Sequence, residues 1–91
     1  MADVHFETIY FSGHVQGAGF RYSVLQIAKE FDVAGLVANL ADGRVHLEAE
    51  GRLEDVTAFV GAVEERMHGL VRKMDRHAGR RSAQFTGFVI R

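Results

Sequence analysis

Between Gly13 and Arg21 the sequence reads G-H-V-Q-G-A-G-F-R, with three glycines in its first seven positions and an arginine at its close. Glycine at this density costs backbone entropy and favours neither helix nor strand, so the stretch predicts a loop with free access to positive φ. Successive amides of such a loop can form a concave nest for an anion. If a helix follows at once, the unpaired amides of its first turn point into the same space and add their dipoles. Arg21 would then supply a planar, doubly donating guanidinium suited to phosphate or carboxylate. The chemistry on offer is an oxyanion pocket of about phosphate size. Composition alone also admits a plainer reading, in which the glycines merely turn the chain and the arginine is solvated.

Other chemistries find less support. Gly17-Ala18-Gly19-Phe20-Arg21-Tyr22 begins like a dinucleotide fingerprint but has Tyr22 in place of its last glycine, and no Gly-Lys-Ser/Thr follows to make a Walker loop. His5, His14, His46, His68 and His77 show no HExxH or close His/Asp metal spacing, so no metal site is predicted. Ser12 and Ser23 lack a nucleophile elbow, and Ser23 is read as a helper for the amides at a helix start. Glu48 and Glu50 share a strand face, and alternating surface charge accounts for them without paired-carboxylate catalysis. The basic run Arg72, Lys73, Arg76, His77, Arg80 and Arg81 reads first as a solvated edge and loop, and second as a field for an anionic partner.

Two segments together carry a family resemblance. Gly13 to Arg21 resembles the first signature of the acylphosphatase family, and Gly35-Leu36-Val37-Ala38-Asn39-Leu40-Ala41-Asp42-Gly43-Arg44-Val45 resembles its second, with Gly51 at the closing glycine. The resemblance implies hydrolysis of the carboxyl–phosphate bond of acylphosphates with no metal and no cofactor. It implies Arg21 as the catalytic arginine that holds the phosphate and Asn39 as the asparagine that positions the attacking water. The loop residues Val15, Gln16, Gly17, Ala18, Gly19 and Phe20 would complete the phosphate cradle through their amides. Ala18, Leu36 and Ala38 depart from the usual family residues, and none of them removes a catalytic group. The implied partners are a small acylphosphate and inorganic phosphate, the latter as product and inhibitor. Nucleic acid and membrane are not expected, and a monomer is. The competing reading is a non-catalytic anion-binding or protein-interaction domain on the same scaffold.

These residues need a scaffold. Val4 to Ser12 is rich in β-branched and aromatic residues and predicts a strand. From Tyr22 to Phe31 the apolar positions take a helical stripe. Leu36 to Leu40 predicts a short strand, Asp42-Gly43 a turn, and Arg44 to Glu50 a strand of clean alternation. Leu53 to His68 predicts a second helix, with Gly61 packed close to the sheet and Gly69 at a left-handed C′ position. Leu70 to His77 reads as a strand, Ala78 to Ala83 as a polar connection and Gln84 to Ile90 as a last strand. The expected fold is α+β: a ferredoxin-like β-α-β-β-α-β sandwich of four antiparallel strands, the first and third central, with both helices on one face.

The whole chain, residues 1–91, fits a single domain. The absence of cysteine excludes disulfides, thiolate catalysis and Cys-based metal sites. A formal charge of -1 supplies no global field for nucleic acid or anionic lipid, so any anion site must be local. The N-terminus lacks the pattern of a secretory leader and no apolar run is long enough to span a bilayer, so a cytoplasmic, stand-alone enzyme is expected.

Overall fold

The computed structural model describes residues 3–17 and 19–91. Its elements run β1 (Asp3–Gly13), α1 (Phe20–Ala28), β2 (Val33–Asn39), β3 (Val45–Gly51), α2 (Leu53–Met67), β4 (Val71–Ser82) and β5 (Phe88–Ile90). The sheet order is β4-β1-β3-β2-β5, antiparallel except for the β2–β5 pair, which is parallel. This is the ferredoxin-like α+β sandwich, but its sheet is mixed and five-stranded where four antiparallel strands were expected. Alternation along the strands explains the layering. Ile9, Phe11, Val37, Val45, Leu47 and Ala49 form one buried cluster with Val24 and Ile27 of α1 and Val56, Phe59, Val60 and Val63 of α2. Both helices therefore cover one face of the sheet. The alternate residues Thr8, Tyr10, His46 and Glu48 stay half-buried on the other.

The extra strand comes from the C-terminal third. The expected connection from Ala78 to Ala83 is mostly strand, because β4 pairs along all of β1, from Asp3↔Ser82 to Gly13↔Val71. Two of its arginines find carboxylates: Arg76 binds Glu7, and Arg81 binds Glu48 and Glu50. The chain then crosses to the opposite edge of the sheet. Glu50, only 2% exposed, accepts hydrogen bonds from the Gln84 and Phe85 amides at 2.8 and 2.9 Å and so latches the crossing loop. Beyond it the Gly35 amide donates to Gly87 O at 2.9 Å and the Arg91 amide to Val37 O at 2.9 Å, which sets β5 parallel to β2. Glu50 is thus a buried structural anchor and not surface charge.

Smaller expectations also change. Val33 and Ala34 belong to β2, and Gly35 lies inside it, where an added Cβ would fall 1.8 Å from Glu48 O. Gly61 sits on the exposed side of α2, away from the sheet. Gly69 does not take positive φ; a tight bond from the Leu70 amide to Met67 O (2.9 Å) ends the helix instead.

Candidate active site

The loop after β1 is pinned by apolar burial at both ends. Val15 is fully buried, and Phe20 is buried with its ring edge-on to Phe11 at 5.3 Å. Between them Gly17 and Gly19 adopt φ of 80° and 72°, the left-handed region that only glycine enters at little cost. Nothing lies within 4 Å of a Cβ built at either position, so the requirement is conformational and not steric. Gly19 is the N-cap residue of α1, and its carbonyl accepts the Ser23 amide at 3.0 Å. The helix begins at Phe20, two residues earlier than the pattern suggested, because the buried Phe20 ring fixes its first turn. Arg21 and Tyr22 are thereby carried on that turn. Ser23 lies within it and makes no side-chain capping bond.

A cleft of about 250 Å³ opens at this helix start. Val15, Gly17 and Gly19 line it from the loop, Phe20, Arg21 and Tyr22 from α1, Asn39 from the end of β2, and Ile90 from β5. Arg21 and Asn39, 18 residues apart in sequence, thus line one concavity. Arg21 Nη1 donates to the main-chain oxygen of Arg91 at 2.8 Å, which leaves its other N–H groups for a ligand. No Asp or Glu side chain pairs with it among the described residues.

Of the expected cradle, Val15, Gly17, Gly19 and Phe20 line the cleft, and Ala18 lies outside the described residues. Gln16 does not line it. Its side chain turns to the β2–β3 turn, where Nε2 donates to Leu40 O and to Arg44 O, both at 2.9 Å. The turn is closed from within by the Leu40 amide on Arg44 O (2.8 Å) and by Asp42, whose Oδ1 accepts the Arg44 amide at 3.0 Å. The Arg44 backbone and side-chain hydrogen bonds hold the Asp42 carboxyl below its ordinary value of 3.8. His14 is exposed and outside the cleft, its amide donating to Leu70 O at 2.8 Å.

Three features escaped the sequence reading. The Gln16 bonds and the Arg21 bond to the main-chain oxygen of Arg91 depend on contacts across 24 to 70 residues, for which a single sequence gives no signal. The third is an apolar rim: Tyr22 is 62% and Ile90 37% exposed, two of the four large hydrophobic residues left in solvent among the described residues. A larger cavity, about 540 Å³, lies at the opposite end of the sheet among Asp3, Asp32, Glu50, Arg52, Glu54 and Arg80. Its carboxylates would repel a phosphate dianion, so size does not make it the anion site. Among the described residues no three His, Asp or Glu side chains are grouped to hold a metal ion. None of the described helices is long and apolar enough to cross a membrane.

A family model described as acylphosphatase matches residues 7–90. An acylphosphatase of Methanospirillum hungatei is 38% identical over 66 residues, 72% of this chain and 72% of that protein. The crystal structure of acylphosphatase from Bacillus subtilis superposes with a TM-score of 0.81 at 33% identity, covering 96% of this chain and 97% of that one. An acylphosphatase structure from Coxiella burnetii gives the same TM-score at 26% identity, covering 98% and 94%.

Proposed function

This chain belongs to the acylphosphatase family, whose members hydrolyse acylphosphates, and from that premise we propose that Arg21 holds the phosphate while Asn39 orients water. The observation that carries the reading is their shared cleft, in which Arg21 is free of any acidic side chain among the described residues.

An acylphosphate is a mixed anhydride whose carboxylate leaves readily, so strong acid assistance is not required. What remains is to hold a dianion, align water with the breaking bond and stabilise charge on the equatorial oxygens. Arg21, with the amides of residues 15–20 and the first turn of α1, meets the first and third needs. Asn39 has both a donor and an acceptor and does not titrate, which suits it to orient water across a pH range. It is too weak a base to take the proton fully, and the substrate's own phosphate is the proposed acceptor. A kcat/KM profile that followed an enzyme histidine would contradict this proton route.

Tyr22 and Ile90 flank the cleft mouth, an apolar border suited to an acyl group of matching character. A single-domain monomer acting on a small acylphosphate in a cytoplasmic setting is part of the same proposal.

The deciding experiment is hydrolysis of benzoyl phosphate by the parent and by Asn39→Ala, with inorganic phosphate as inhibitor and folding checked by circular dichroism. Turnover by the parent, competitive inhibition and a loss of kcat of about 10²-fold or more in the variant are expected. Retained kcat in a folded Asn39→Ala protein would end the assignment. Phosphate binding without turnover in the parent would favour a non-catalytic anion-binding domain.

A further inference from the structure

The geometry points to Gln16 as a positioning residue that sets the distance between the phosphate loop and Asn39. Its Nε2 bonds, to Leu40 O and Arg44 O at 2.9 Å each, are the sole side-chain hydrogen bonds between the loop, residues 14–19, and the turn, residues 39–45, among the described residues. Both partners are carbonyl oxygens. The amide nitrogen must therefore face them, since an amide oxygen turned the same way would be repelled. One NH₂ group grips both sides of the turn, and Leu40 is the residue directly after Asn39.

The need for such a link follows from how the two halves are held. The loop is fixed by its own end contacts: the buried Val15 and Phe20, and the His14 amide on Leu70 O. Asn39 is exposed at the last position of β2, paired only with Val45 before the turn begins. The fixings of the loop place the phosphate, and the end of the hairpin places the water. A carboxamide joining the two sets the line from water to phosphorus, and small errors in that line are expensive in rate. The Gln16 side chain touches neither substrate nor water in this scheme; it acts through Asn39. The inference rests on the water-orienting reading of Asn39.

The test compares the parent, Gln16→Met, Asn39→Ala and the double variant on benzoyl phosphate, with phosphate inhibition measured alongside. Gln16→Met should lower kcat by about tenfold or more. The phosphate inhibition constant should stay within about threefold, because the cradle is local to the loop. The double variant should be no slower than Asn39→Ala alone, since both changes remove one function. Losses that multiply, or kcat and phosphate affinity that fall together, would overturn the inference. Gln16→Glu keeps the shape but loses the donors, so it should be as slow as the methionine variant; parent-like kcat there would overturn it too. If Gln16→Met does not fold, Gln16→Glu is read by the same criteria.

Should the parent hydrolyse no acylphosphate, the catalytic reading fails separately. The link itself is then judged by hydrogen exchange. Gln16→Met, or Gln16→Glu in its place, should speed exchange at the Leu40 and Gly43 amides and leave the centre of β1 unchanged. Unaltered exchange at the turn would refute it.

Discussion

Arg21 and Arg81 carry the same side chain in opposite surroundings. Arg21 stands in the first turn of α1, bonded to the main-chain oxygen of Arg91 and lining a cleft. Arg81 lies on the uncovered face of the sheet, 2.9 Å from Glu48 and 3.3 Å from Glu50, with its guanidinium 4.3 Å from the centre of the Phe6 ring. Charge alone does not make an anion site. The fold pairs Arg81 with one half-buried and one buried glutamate and gives Arg21 no acidic side chain among the described residues. Among the described residues the Nε of Arg81 is buried with no protein partner. The cluster is a latch, holding β4 and the crossing loop through Glu50.

The comparison predicts a crossed pattern of damage. Arg21→Ala should cut kcat/KM by about 10²- to 10³-fold, with KM raised, while the unfolding midpoint stays close to the parent's. Near-parent turnover would mean the free guanidinium is not the phosphate ligand. Arg81→Ala should do the reverse. It leaves Glu50 buried with only loop amides for company, and a loss of about 3 kcal/mol in urea unfolding is expected. Benzoyl phosphate kinetics of the folded fraction should change by less than about threefold. If Arg81→Ala damaged kcat as Arg21→Ala does, the contrast between the two residues would collapse.

A third variant sharpens the point about the latch. Adding Glu50→Gln to Arg81→Ala removes the orphaned charge while keeping an oxygen for the loop amides. The pair should recover about 1–2 kcal/mol relative to the sum of the single losses. Simple additivity would show that Arg81 acts through its packing on Phe6 and not through Glu50.

How much of this could be read beforehand depended on range. The glycine loop with Arg21 at its end, both helices and the Asp42-Gly43 turn rest on local pattern, whereas Asn39 entered only through the family resemblance. Each lies close to where it was expected. The helix start moved to Phe20 because a buried ring, not a polar cap, fixes it. The largest misreadings lie between residues 70 and 91. There β4 carries charges at positions that alternation would call solvent, and they are satisfied by Glu7, Glu48 and Glu50 from strands distant in sequence. Likewise Glu50 has the appearance of one more polar residue in an alternating strand. Its burial is set by a loop 34 residues later. Gln16 shows the same limit inside the site: its residue type fits a polar loop, and only the folded turn gives its side chain two carbonyls to hold.

Arg44 is the intermediate case between the two arginines and yields the smallest effect. It is paired with Asp42 at 2.8 Å, as Arg81 is paired with glutamates, yet both partners are largely exposed. It also lies over the Tyr10 ring at 4.8 Å, on the turn that follows Asn39. Solvent screening makes such a pair weak. Its signature is therefore best sought in pH dependence. The Asp42 carboxyl is held low mainly by the Arg44 amide and then by the guanidinium, so its folded pKa lies below the unfolded value. Its stabilisation is complete above that unfolded value and disappears as pH falls through the folded one. Asp42→Ala should consequently be slightly less stable than the parent at neutral pH, by urea midpoint. The gap should narrow well below pH 3.8, where the parent's carboxyl is also protonated. Added salt at neutral pH should narrow it too. A gap that persisted unchanged in acid would show that Asp42 supports the turn through its shape, leaving Arg44 with no electrostatic part in holding the strand end that presents Asn39.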